Sequence, residues 1–96
     1  MPVKRKIVWS FQAKEQWKEV LRFYTKRNGS AYYSRRLNER LLGVLARIRD
    51  WPEMGEVTDN ENYRRHVVEY FAVFYWIKDD GIEIAEIRDA RQDAER

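Results

Sequence analysis

Tyr63-Arg64-Arg65-His66-Val67-Val68, followed by Phe71-Ala72-Val73-Phe74-Tyr75-Trp76-Ile77 and then Ile82 to Asp89, is the stretch that decides how this chain folds. In the first segment Arg64, His66 and Val68 alternate with Tyr63, Arg65 and Val67. Its β-branched and aromatic content suits a pleated surface, so a strand is expected over 63–70. The second segment is apolar on both sides, with Phe71, Val73, Tyr75 and Ile77 opposite Ala72, Phe74 and Trp76. Such a strand is central and covered on both faces. Lys78-Asp79-Asp80-Gly81 reads as a hairpin turn in which Asp-Gly supplies the positive φ of a primed turn. Ile82 to Asp89 then returns as the last strand, and residues 90–96 form a charged tail.

Upstream, residues 53–62 are polar and turn-rich, a loop with a short strand at its start. Before the loop come two helical patterns. Ala13, Trp17, Val20, Leu21 and Tyr24 recur at offsets that form one buried stripe, and Leu37, Leu41, Val44, Leu45 and Ile48 repeat the same offsets. Ser10 is placed to cap the first helix and Asn28-Gly29 to end it. The second is expected to start from a Ser30 cap and to stop at Trp51, because Pro52 cannot continue a helix. Lys6 to Phe11 alternates and forms the opening strand. The order β-α-α-β-β-β makes this an α+β chain, one domain over 1–96, with a helical hairpin packed on one face of a small, mostly antiparallel sheet. Helices cover only one face of the central strand. Long side chains, a partner or a second copy must cover the other.

Composition narrows the function. The 96 residues contain no cysteine and one histidine, which removes thiolate chemistry and the usual zinc sites. No carboxylate spacing forms a calcium or magnesium loop, and the glycines are too isolated to cradle a phosphate, so no metal or cofactor is expected. The basic start, Met1 to Lys6, lacks the apolar run and cleavage site of a signal peptide, and nothing approaches the roughly 20 apolar residues of a membrane span. A cytoplasmic protein is expected. Charge is divided unevenly: residues 1–50 hold 13 Lys and Arg against 4 Asp and Glu, and residues 51–96 hold 6 against 12. The helical half therefore carries a field that attracts nucleic acid or an acidic protein, unless it is simply a solvated surface. Lys14, Lys18, Arg22 and Lys26 line up at four-residue spacing on the first helix, and Arg36, Arg40 and Arg47 form a looser row on the second.

Arginine is what remains for chemistry. Arg64, Arg65, Arg88 and Arg91 converge if the first and last of the three strands present their ends to one rim, where guanidinium forks bind phosphate oxygens bidentately. The alternative is that they pair with Glu69, Glu83, Glu86 or Asp93.

The order of elements, the 63–68 and 71–77 strands and the closing Ile87-Arg88-Asp89-Ala90-Arg91-Gln92-Asp93 together resemble the RelE/ParE toxin superfamily of bacterial type II toxin-antitoxin modules. The resemblance spans nearly the whole chain, with Trp51-Pro52 and Gly55 similar to the family's helix exit. It implies one of two activities. RelE-like members are ribosome-dependent endoribonucleases that cut messenger RNA without metal, and on that branch Arg65 matches the strand arginine, Arg88 or Arg91 the second cation, and His66 a possible base. This chain lacks the histidine or tyrosine that such members place near the last strand. ParE-like members bind DNA gyrase instead, a task for a binding surface that here comprises Arg64, Arg65, Arg88 and Arg91. The Arg91-Gln92-Asp93 ending resembles that branch more closely. Either branch implies an acidic antitoxin, partly disordered when free, that lies over Lys14, Lys18, Arg22 and Lys26 and against Phe74 and Trp76. A non-toxic basic module that binds RNA or protein through its aromatics is the reading from another class.

Overall fold

A computed structural model describes residues 5–90. The chain runs β1 (Lys6–Trp9), α1 (Phe11–Asn28), α2 (Tyr32–Asp50), a 3-10 turn (Pro52–Met54), β2 (Glu56–Val57), β3 (Tyr63–Val68), β4 (Phe71–Lys78) and β5 (Gly81–Asp89). The five strands form one mixed sheet in the order β1-β5-β4-β3-β2. β1 lies parallel to β5, and every other pair is antiparallel. The helical hairpin covers one face, as its two apolar stripes require: Trp17, Leu37, Leu41, Leu45 and Ile48 pack with Phe71, Val73, Tyr75, Ile82, Ile84 and Ile87.

Polar knots fix the hairpin. Trp17 Nε1 donates to Asn38 Oδ1 at 2.8 Å, and the buried Ser34 hydroxyl donates to the Leu21 carbonyl at 2.9 Å while meeting Thr25 Oγ1. Gly29 ends α1 at φ 68°, a left-handed position where a side chain would be strained. Ser10 caps α1 as expected, its hydroxyl accepting from Ala13 N–H at 3.0 Å. The cap also ties the helix to the sheet, since Ser10 N–H donates to the Ile84 carbonyl and its hydroxyl to that of Ala85.

Three details depart from the sequence expectation, and the short strand expected at the start of the loop is borne out. α2 is capped by Ala31 with no side-chain hydrogen bond, because the Ser30 hydroxyl accepts from Tyr32 N–H one residue too early to serve the first turn. The loop's short strand is real and pairs Glu56 and Val57 with Arg65 and Arg64, so the sheet gains a fifth strand. The β4–β5 turn contains no positive φ; Gly81 is instead the first residue of β5, where a Cβ would collide with the Lys6 carbonyl oxygen. Between Phe74/Tyr75 and their partners the register slips by one residue at Ala85, and this bulge explains why the inward isoleucines fall at 82, 84 and 87.

Candidate functional site

Alternation along β3 settles where each arginine goes, because neighbouring residues on a strand point to opposite faces. Val68 is buried in the core, so Arg64 and His66 share the helix side, and Tyr63 and Arg65 occupy the open face. Arg64 is therefore not part of a four-arginine rim. Its Nε donates to the Glu61 carbonyl at 2.8 Å and its Nη1 to the Gly55 carbonyl at 3.1 Å, which pins the turn before β2. Tyr75 completes that clamp: fully buried, its hydroxyl donates to the Pro52 carbonyl at 2.6 Å and accepts from Gly55 N–H at 3.0 Å. Arg91 lies outside the described residues.

Arg65 and Arg88 do come together, one on each side of Phe74. Across the sheet Phe74 pairs with Arg65 of β3 and Glu86 of β5. The Arg88 guanidinium stands 5.3 Å from the Phe74 ring centre and grips Glu86 through Nε–Oε1 at 2.8 Å and Nη2–Oε2 at 3.1 Å. Arg65 Nη1 faces Glu56 Oε2 at 3.7 Å. The Tyr63 ring lies over Phe74 and Trp76, with centroids 5.9 and 4.5 Å away, and its hydroxyl donates to Glu86 Oε2 at 3.3 Å. Burial, then the nearby Glu86 carboxylate, pushes the Tyr63 phenol up.

These contacts correct the expected groove at Phe74 and Trp76. Phe74 is only 9% exposed, because Tyr63 and Arg88 cover it; long side chains, not an empty trough, close the second face here. Tyr63 and Glu56 are the residues that sequence reasoning did not assign to the site, whereas Glu86 was among the carboxylates expected as arginine partners. Tyr63 and Arg65 share a face by alternation alone, but placing Glu86 beside them required the cross-strand register and its bulge.

His66 sits apart from this cluster, under α2. Burial and then the positive Arg47 lower its pKa below the ordinary imidazole range, with Glu56 pulling weakly the other way. The lysine row on α1 is also less bare than its spacing implied. Lys18 pairs with Glu15 at 3.2 Å and Arg22 with Glu19 at 3.1 Å, carboxylates one turn away that offset the like-charge repulsion. Lys14 and Lys26 are exposed on the same helix. Among the described residues no helix is long and apolar enough to cross a membrane.

Comparison with known proteins agrees with this architecture. The chain is similar over 92% of its length to a solved structure described as a chromosomal ParDE TA system from P. aeruginosa, covering 98% of that chain at a TM-score of 0.75 and 13% identity. It is similar over 94% of its length to a chain of the E. coli DinJ-YafQ toxin-antitoxin complex, covering 97% of that chain at a TM-score of 0.58 and 14% identity. At such identities the likeness shows the fold. No curated protein matches by sequence. Residues 7–94 match the family described as ParE toxin of type II toxin-antitoxin system, parDE. With the helical hairpin, the mixed sheet and nearly the whole length accounted for, the chain belongs to the ParE toxin family, within the RelE/ParE superfamily.

Proposed function

We propose that this chain arrests bacterial growth by binding DNA gyrase in the cytoplasm through the open face of its sheet, and that a cognate acidic antitoxin neutralises it. The observation that carries the target assignment is the cluster around Phe74: two arginines held on one face by partly exposed carboxylates, with His66 on the opposite side of the sheet. The Arg65–Glu56 pair, with Glu56 75% exposed, contributes roughly 0–1 kcal/mol, so a target's carboxylate or phosphate can replace Glu56 at little cost. Arg65 and Arg88 are then pre-aimed contacts on an aromatic floor, which is what a binding surface needs.

One observation favours a second reading, metal-independent RNA cleavage. Tyr63 donates to Glu86, and Glu86 is held by Arg88, so a carboxylate, a phenol and two guanidinium groups share one face. In that reaction Glu86 would take the proton of a ribose 2′-hydroxyl. The freed oxygen would attack phosphorus, the 5′-oxygen would leave with the proton of the Tyr63 phenol, which the protonated Glu86 would replace, and the arginines would meet the phosphorane charge. Expression in bacteria without any partner separates both readings from a non-toxic binding module: arrest is expected, and normal growth would contradict it. Primer extension on message in a reconstituted translation reaction then separates the two. Intact message supports gyrase, whereas ribosome-dependent cuts that disappear in Glu86→Gln would transfer the assignment to RNA.

A further inference from the structure

From Val20 to Asn38 the chain has no aspartate or glutamate, yet it carries Arg22, Lys26, Arg27, Arg35 and Arg36 among the rings of Phe23, Tyr24, Tyr32 and Tyr33. The fold gathers this stretch at the tip of the helical hairpin, where α1 ends, the chain turns at Gly29 and α2 begins.

Three observations bear on what the tip meets. Its rings form an anchored platform that is left open. Tyr24 packs edge-on against Phe23 and Tyr33, with ring centres 5.1 Å away in each case, and is tied to the core by Phe71 at 6.4 Å. Phe23 and Tyr32 are nonetheless 58% and 61% exposed. Next, the cations have no carboxylates. Arg22 is held by Glu19, but Lys26, Arg27, Arg35 and Arg36 make no ion pair among the described residues. Helix electrostatics account for Lys26 and Arg27 in the last turn of α1; they do not account for Arg35 and Arg36 near the start of α2, where the dipole disfavours cations and no acidic residue stands in the first turn. Finally, rings and cations repeat together. Lys26 and Arg27 follow Phe23 by three and four residues, and Arg35 and Arg36 follow Tyr32 by the same offsets, so each exposed ring has cations one helical turn on. The Arg36 guanidinium stands 5.8 Å from the Tyr32 ring centre and donates to its hydroxyl at 3.2 Å.

We propose that the hairpin tip docks a single strand of nucleic acid, with bases stacking on Phe23 and Tyr32 and phosphates meeting Lys26, Arg27, Arg35 and Arg36. Each nucleotide repeats a flat base and one negative charge, and the tip repeats a ring and its cations in complement. A pocket of about 410 Å³ opens beside the platform, lined by Phe23, Tyr24, Arg27 and Phe71; Glu19 and Asp89 share its wall, so it suits the amino edge of a base rather than a phosphate. A bilayer surface fits less well, because Phe23 is the one wholly apolar side chain among the exposed rings. An acidic polypeptide would satisfy the cations and leave the rings without a repeating partner. The tip ends the helical layer, whereas Arg65 and Arg88 lie on the open face of the sheet, so this contact goes beyond the gyrase reading and does not depend on it.

The test is fluorescence anisotropy with the full chain and labelled oligothymidine and oligouridine of equal length, beside a labelled poly-glutamate peptide and vesicles containing phosphatidylserine. The parent should bind a strand; tighter oligothymidine makes DNA the source, tighter oligouridine makes it RNA, and either supports the proposal. Phe23→Ala with Tyr32→Ala changes no charge and should weaken strand binding by about tenfold or more. Lys26→Gln, Arg27→Gln and Arg35→Gln together should lower the slope of log affinity against log salt by about 2, at about 0.7 per phosphate contact on a single strand. Circular dichroism melts establish that each variant is folded, and Phe23→Leu with Tyr32→Leu, which keeps apolar bulk but removes the stacking faces, carries the same expectation as the alanine pair. A parent that binds neither strand, a ring variant with parental affinity or an unchanged salt slope would overturn the proposal. So would peptide or vesicle binding that is tighter than strand binding and is lost in the ring variant. The readout uses the chain alone, so a failed gyrase assay and a failed strand assay are separate results.

Discussion

Two side chains carry sharp expectations of their own. His66 is held neutral by burial and by Arg47, so the folded chain binds fewer protons there than the unfolded chain does. Its contribution to stability is therefore complete above the ordinary imidazole value of about 6.5 and is lost as pH falls below it toward the lowered native value. The thermal midpoint should drop over that window, and His66→Gln should flatten this part of the curve. A parent and variant with parallel pH profiles would contradict the assignment. Tyr75 is the second case. Removing its hydroxyl strands the Pro52 carbonyl and the Gly55 N–H in a fully buried site, so Tyr75→Phe should cost about 1–3 kcal/mol in urea unfolding. Neither role was legible in sequence: Tyr75 read as one more apolar position and His66 as a candidate base, because the partners of both come from elements distant along the chain.

At the scale of elements, Ser10 does more than cap. It joins α1 to the bulged strand β5 through the Ala85 carbonyl, at the point where β1 ends and the sheet loses a neighbour. Ser10→Ala should therefore destabilise by about 1–2 kcal/mol, the upper part of the range for a cap, and Ser10→Thr should recover most of it. An unchanged unfolding midpoint for Ser10→Ala would show the joint to be dispensable. The helices, the strands and the Gly29 stop were legible because each rests on a local period or a local backbone demand. Two-residue β2 leaves almost no periodicity to read, although its place at the start of the polar loop was marked. The arginine rim was wrong in Arg64 for a reason the sequence already contained: strict alternation sends Arg64 and Arg65 to opposite faces. The Asp-Gly signal misled because Gly81 answers to the close approach of β1, a parallel neighbour that lies more than seventy residues away in sequence.

For the molecule as a whole, the two layers divide the work. The helices present a basic exterior and, at the hairpin tip, exposed rings with cations one turn on. The sheet presents Arg65 and Arg88 around a covered Phe74. The family was legible from the order and spacing of elements, since that order fixes the topology, whereas the target was not, because folds of this kind host more than one activity. The functional account stands or falls on the open face. The direct measurement is DNA cleavage by purified gyrase on a supercoiled plasmid with the protein added, comparing the parent with an Arg65→Ala, Arg88→Ala double variant whose fold is verified by its melt. The parent should accumulate linear DNA, and the double variant should do so at least about tenfold less, given that removing two charged contacts at one interface costs more than 1.4 kcal/mol. No linear DNA with the parent, or the same amount with the double variant, would contradict the assignment of that face to gyrase.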